Sequence, residues 1–135
     1  MVTGGMGFIG SNFIRFLESS GFDGSVVNVD ALKAGSNPVN LKGLALKCYR
    51  FMRHDLSKGE IDLGDVDCIF NFASETHVDR SIADPRSFVD NNVWLILNLL
   101  EGIRRSANNA RLIHASTDEI YGDIASGSFD ELSPP

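Results

Sequence analysis

Thr3-Gly4-Gly5-Met6-Gly7-Phe8-Ile9-Gly10 is the stretch that decides the fold. Gly4, Gly7 and Gly10 recur at every third place, behind a short apolar start and ahead of a run in which Phe8, Ile9, Phe13, Ile14, Phe16 and Leu17 repeat at helical spacing. That order predicts strand, turn, helix. A missing Cβ lets the chain turn tightly, lets a pyrophosphate approach the backbone and lets the helix pack close to the strand, while free amides at the helix start receive phosphate charge. The next apolar run, Val26-Val27-Asn28-Val29, closes on Asp30, about 20 residues after the last glycine, where a carboxylate accepts from ribose hydroxyls. A carboxylate there repels a 2′-phosphate, so NAD is expected over NADP. The plain alternative, a glycine-rich turn with an incidental aspartate, has to explain why strand, turn, helix and acid all fall in register.

Working outward, Gly21 to Gly24 ends the first helix, and Ala31 to Asn40, rich in Gly, Ser, Asn and Pro, reads as a loop. Cys48 to Met52 is a third strand leading into His54-Asp55-Leu56, and Val66 to Phe72 a fourth. Asp84 caps a helix that starts at Pro85 and runs to about Arg105. Arg111 to Ala115 makes a fifth strand, and Ser116 to Pro135 is turn-rich. Strands alternating with helices predict an α/β fold, a doubly wound parallel sheet of Rossmann type, over residues 1–135 as one domain. Any substrate domain is expected outside this sequence, and a few more residues are expected ahead of the first strand.

Hydrophobic residues make up 43% and charged residues 22%, enough to fill a core under a wettable surface. A formal net charge of −6 argues against nucleic acid as a partner, because phosphate neutralisation needs clustered Lys and Arg. Cys48 and Cys68 lack CxxC spacing and read as reduced packing residues. With no leader-like start, and with the segment around Val93 to Leu100 too short to span a bilayer, a cytoplasmic protein away from membranes is expected. His77 and His114 have no partner ligands at suitable spacing, so no metal is expected, and His114, within a strand, is read as core.

In open parallel sheets ligands sit beyond the carboxyl ends of the strands. The segment after the fourth strand, Asn71 to Ile82, and the one after the fifth, Ser116 to Gly122, are dense with functional groups. Thr3-Gly4-Gly5-Met6-Gly7-Phe8-Ile9-Gly10-Ser11, Asp30-Ala31-Leu32, Glu75-Thr76-His77-Val78-Asp79-Arg80-Ser81-Ile82 and Ser116-Thr117-Asp118-Glu119-Ile120-Tyr121-Gly122 together resemble the extended short-chain dehydrogenase/reductases that act on nucleotide sugars, the dTDP-glucose 4,6-dehydratase branch in particular. The glycine motif is shared widely; HVDRSI with Thr117-Asp118-Glu119 is what points to that branch.

The resemblance implies that NAD lies among Phe8, Ile9, Asp30, Ala31, Leu32, Lys33, Asp55, Leu56, Phe72, Ala73, Ser74, Glu75 and Asn91, beside the glycines. It implies that Thr76 and Thr117 hold the sugar, that Asp118 gives a proton to a leaving hydroxyl and that Glu119 is a base. The expected reaction is dehydration of a nucleoside-diphosphate glucose to the 4-keto-6-deoxy sugar. An epimerase or decarboxylase of the same superfamily, and a non-catalytic dinucleotide-binding module, are the alternatives; two adjacent acids speak against an epimerase, which expels no hydroxyl. The sequence departs from the family pattern at Ser74, Thr76 and Asn91, at Leu95-Ile96 in place of Gly-Thr, and at Ala34 in place of a common Tyr. The family's Tyr-x-x-x-Lys pair is absent: Tyr49 is followed at the fourth place by Arg53 and Tyr121 by Ala125. The chain is therefore expected to be an amino-terminal part that does not turn over alone. Val93, Trp94, Leu95, Ile96, Leu97, Leu99, Leu100 and Ile103 give the long helix more apolar surface than one stripe needs, implying a second buried face. The resemblance implies a homodimer on that helix, the alternative being a cover from a further part of the same chain.

Overall fold

The computed structural model describes residues 1–134. Its strands are β1 (Val2–Thr3), β2 (Val26–Asp30), β3 (Tyr49–Arg53), β4 (Cys68–Asn71) and β5 (Arg111–His114). Its helices are α1 (Phe8–Ser19), α2 (Val78–Ala83) and α3 (Pro85–Arg105). The strands form one sheet in the order β3-β2-β1-β4-β5, and every pairing is parallel. From β1 the chain builds one half of the sheet with β2 and β3, then crosses back to build the other with β4 and β5. The order therefore reverses at the carboxyl end of β1, the place where doubly wound sheets hold their ligands.

Strand alternation sorts the core into two layers. Val26 of β2 packs with Val2, Met6 and Ile14 on the face covered by α1, where Phe13 lies over Phe70 and Phe72. Val29 of β2 and Ile69 of β4 point the other way, onto Leu95 and Leu99 of α3 and onto Leu56, Ile61 and Leu63. Leu95, which stands where the family has a small residue, is thus a core residue. A polar link crosses the sheet at its carboxyl edge: buried Thr3 donates through Oγ1 to Asn71 Oδ1, and Asn71 Nδ2 meets His114 Nδ1 at 2.8 Å.

Several expectations are corrected. Val78–Ala83 forms a helix of its own, which ends because Pro85 cannot extend it; Asp84 then accepts a hydrogen bond from Ser87 N and starts α3 afresh. Pro38–Leu41 and Asp118–Tyr121 wind into single 3₁₀ turns within expected loops. His114 is exposed, because β5 is an edge strand, and Cys48 is exposed as well. The second apolar face of α3 is open, with Val89, Val93, Leu97 and Leu100 in one stripe beside Trp94. No helix among the described residues is long and apolar enough to cross a membrane.

The tightest packing lies between the glycine turn and α1. A Cβ on Gly10 would overlap the carbonyl oxygen of Gly4 and stand 2.8 Å from the Gly5 Cα, both backbone atoms that have nowhere to go. Gly10→Ala is expected to destabilise the fold by about 1–3 kcal/mol and to lower the thermal midpoint by several degrees. An unchanged midpoint in a melting experiment would show that α1 is not held this close.

Candidate dinucleotide site

Above the reversal of the sheet lies a cleft of about 390 Å³. One wall is the glycine turn and the start of α1, with Gly4, Gly7, Phe8, Ile9 and Gly10. The floor is the end of β2 with Asp30, Ala31 and Lys33, and the far wall brings in Asp55, Leu56, Phe72, Ala73, Ser74, Glu75, Thr76 and Asn91.

Gly4 makes the turn possible. It sits at φ +67°, and a Cβ there would stand 2.7 Å from the Ala73 amide nitrogen. Its own N–H donates to Val29 O at 2.8 Å, and its carbonyl accepts from Gly7 N at 3.0 Å. Gly7 then starts α1 without a capping side chain, and no acidic residue follows in the first turn. First-turn amides have no acceptor within their own helix. Those of Phe8, Ile9 and Gly10 are therefore open donors at the positive end of a helix dipole, suited to a diphosphate. Phe8 and Ile9 present their side chains to solvent, 81% and 61% exposed.

Asp30 is only 4% exposed, and its carboxylate is largely engaged. Oδ2 accepts from Met6 N at 2.9 Å; Oδ1 accepts from Leu32 N at 2.8 Å and from Ser36 Oγ at 2.7 Å. A carboxylate has about four acceptor positions, so one remains for a ribose hydroxyl. Ser36, which the sequence reading passed over as loop, is thus a partner of the key acid. Leu32 does not line the cleft: at φ +56° it turns the chain behind Asp30 and packs into the α1-side core.

Lys33 spans the opposite end of the cleft. Its ammonium reaches Asp55 Oδ2 at 2.9 Å, Ser57 Oγ at 3.3 Å and Asn91 Oδ1 at 2.7 Å, which ties the loop after β2 to the loop after β3 and to α3. Asp55 Oδ1 also accepts from Ser57 N and Oγ, at 3.0 and 2.7 Å. Burial pushes the Asp55 carboxyl up, but the hydrogen bonds from Ser57 and Lys33 and the lysine charge outweigh it and hold the group below its ordinary value of 3.8. Asn91 Nδ2 passes the chain of contacts to Asn92, whose amide pairs with Glu75 N at 2.9 Å and Glu75 O at 3.0 Å. Glu75 in turn faces Arg80 at 3.4 Å.

Thr76 and His77 line the same cleft. Thr117, Asp118 and Glu119 do not; they follow β5, the strand beside β4, at the same edge of the sheet. Thr117 caps their 3₁₀ turn, its Oγ1 accepting from Glu119 N at 3.3 Å and lying 3.3 Å from Asp118 Oδ1. Both acids are exposed to solvent. Among the described residues no group of three or more His, Cys, Asp and Glu is arranged to hold a metal ion.

An open parallel sheet with a glycine cradle at its reversal defines a Rossmann-type dinucleotide-binding protein. The chain belongs to the GDP-mannose 4,6-dehydratase family, whose model matches residues 1–135. It is 45% identical over 99% of its length to the low-salt glycan biosynthesis protein Agl12 of Haloferax volcanii, and 43% identical over 99% to a dTDP-glucose 4,6-dehydratase of Streptomyces niveus. It covers 44% and 42% of those proteins, so the chain spans less than half the length of either relative. Its structure superposes with TM-score 0.86 on DesIV, a dTDP-glucose 4,6-dehydratase from Streptomyces venezuelae solved with NAD bound, at 40% identity over 98% of this chain and 44% of that one. A UDP-Glc/GlcNAc 4-epimerase from Campylobacter jejuni superposes nearly as well, with TM-score 0.85 at 27% identity over 98% of this chain and 41% of that one.

A depressed carboxyl stabilises the fold above the unfolded-state value and loses that contribution as pH falls through the folded one. Asp55→Asn is therefore expected to be less stable than the parent at neutral pH, with the gap closing once pH drops below 3.8. Denaturant midpoints on both sides of that value measure it. A gap that persists in acid would mean that the Lys33 ion pair contributes nothing.

Proposed function

We propose that this chain is the NAD-binding part of an enzyme that dehydrates a nucleoside-diphosphate glucose, dTDP-glucose being the first candidate, to its 4-keto-6-deoxy form. The observation that carries the reading is one sheet edge holding both a diphosphate cradle, Gly4 to Gly10, and an adjacent acid pair, Asp118-Glu119. The cleft fits the dinucleotide by its chemistry: open amides for the diphosphate, a spare acceptor on Asp30 for ribose, and at the Lys33 end a carboxylate, Asp55, beside the buried Leu56 for the base. The negative charge of Asp30 favours NAD over its phosphorylated form.

NAD held in the cleft would supply reversible hydride transfer, out of the sugar C4, which makes the C5 proton acidic, and back to C6 once the hydroxyl has left, with the proton returning to C5. Glu119 is the base for that proton, and Asp118 gives a proton to the C6 hydroxyl as it leaves as water. Thr117, between them, orients both carboxylates and meets the sugar with Thr76. An epimerase has no hydroxyl to expel and no use for the second acid, so the pair favours the dehydratase although epimerases share the fold. The Tyr-x-x-x-Lys pair that the resemblance calls for is not within these residues, and the chain alone is expected not to turn over. The substrate is a nucleotide sugar rather than nucleic acid, and free thiols at Cys48 and Cys68 fit a reducing, cytoplasmic setting.

Incubating dTDP-glucose and NAD with the protein, completed by the pair, is expected to give a product lighter by one water with no net NADH. An unchanged mass spectrum argues against the dehydratase. In the same system Glu119→Gln should keep NAD affinity and abolish exchange of the C5 proton with solvent; retained exchange removes Glu119 from the role of base.

The open stripe of α3, Val89, Val93, Leu97 and Leu100, is an exposed apolar patch of the kind that marks a protein contact. We place a homodimer there. Sedimentation at micromolar concentration should return a dimer that Val93→Asp and Leu97→Asp together dissolve. A strict monomer before substitution excludes it.

A further inference from the structure

Asn28 is out of place by the pattern of its strand. It shares a face of β2 with Val26, toward Ile14 of α1, and is 0% exposed among apolar neighbours. Nδ2 donates to the Tyr49 hydroxyl at 2.9 Å, but Oδ1 has no hydrogen-bond partner. A buried acceptor left unpaired keeps its full desolvation cost, and valine, which β2 uses at three of its other four places, avoids that cost. Stability alone does not account for an amide here.

The orphan oxygen points at the glycine turn. A Cβ on Gly5 would run into Oδ1, and would lie 2.6 Å from the Asn28 Cγ and 2.7 Å from Ile14 Cδ1. Its neighbours in the turn are also seated on β2: Gly4 N donates to Val29 O at 2.8 Å, and Met6 N to Asp30 Oδ2 at 2.9 Å. Three consecutive turn residues thus rest on three consecutive strand residues, and the seat of the middle one is Asn28. A glycine Cα–H can approach a carbonyl oxygen to roughly 3.3–3.6 Å, closer than the roughly 3.5–4.0 Å at which carbon meets carbon. The same contact sets the amide orientation, because an NH₂ group would turn hydrogen toward hydrogen.

We propose that Asn28 is a positioning residue for the phosphate turn: its side-chain oxygen lets Gly5 settle deeper on β2 than any apolar side chain of that length permits. That depth sets where the Phe8, Ile9 and Gly10 amides meet a diphosphate. The proposal rests on the dinucleotide reading of the cleft and adds a residue that does not line it. Tyr49, half-buried on β3, is the anchor that keeps the amide from rotating away.

Asn28→Leu keeps the branching, replaces the oxygen by a methyl and removes the orphan acceptor. The expected result is a thermal midpoint equal to or above that of the parent, with the Kd for NAD and for ADP-ribose raised about tenfold, about 1.4 kcal/mol, and the Kd for adenosine unchanged. Equal NAD affinity in variant and parent overturns the proposal, and so does a matching loss for adenosine, the mark of general damage. If Asn28→Leu does not fold, Tyr49→Phe removes only the anchoring hydroxyl; it should weaken NAD and ADP-ribose severalfold and spare adenosine, and parental affinity overturns the proposal by that route. A parent that binds no NAD fails the dinucleotide reading itself, a result distinct from a variant that matches a binding parent.

Discussion

The seating of the glycine turn on β2 is the constraint from which the rest of the structure follows. Gly4, Gly5 and Met6 are held by Val29, Asn28 and Asp30, so backbone seating sets the direction of α1 together with the packing of its side chains. Asp30 holds Met6 with the same carboxylate that is left one acceptor position for a ligand. A residue of this kind joins fold and site in one group: the loop after β2 is drawn in through Leu32 N and Ser36 Oγ, and the turn through Met6 N. Charge buried to this extent is tolerable only because each bond to it is made by a fixed donor.

The far side of the cleft is organised differently. Lys33, Asp55, Ser57, Asn91, Asn92 and Glu75 form a run of side-chain contacts that bridges three loops and α3. Exposed ion pairs contribute little individually, so this end is held by many weak bonds where the diphosphate end is held by sterics. The two ends of one ligand site thus differ in stiffness, the glycine wall being set by backbone overlap and the Lys33 wall by solvated charges.

Much of this was legible in the sequence, because the features that build the sheet are local. The glycine spacing, the apolar run closed by Asp30 and the Asp84-Pro85 helix start each reflect chemistry within a few residues, and the strands fell within two residues of where they were read. What escaped depends on distance along the chain. His114 looked like core because strand composition does not say whether a strand is central or an edge. Ser36 looked like loop because its partner is fixed only once the chain returns past Asp30. Asn28 looked like an ordinary interruption of a valine strand, since its meaning lies in Gly5, more than twenty residues earlier. The helix Val78–Ala83 was missed for a different reason: six residues carry too little periodicity to be told from a turn.

The two-residue β1 lies at the centre of the sheet, yet both of its partners come later in the chain: Val2 pairs with Asn28 and Phe70, Thr3 with Val29 and Asn71. Two residues cannot hold a strand by themselves, and contacts of such long separation form slowly. During synthesis β1 gains its second partner only when β4 has left the ribosome. The glycine turn meets its seat on Asn28, Val29 and Asp30 early and its far wall at Ala73 much later, so a nascent chain shorter than Asn71 holds the cradle from one side only.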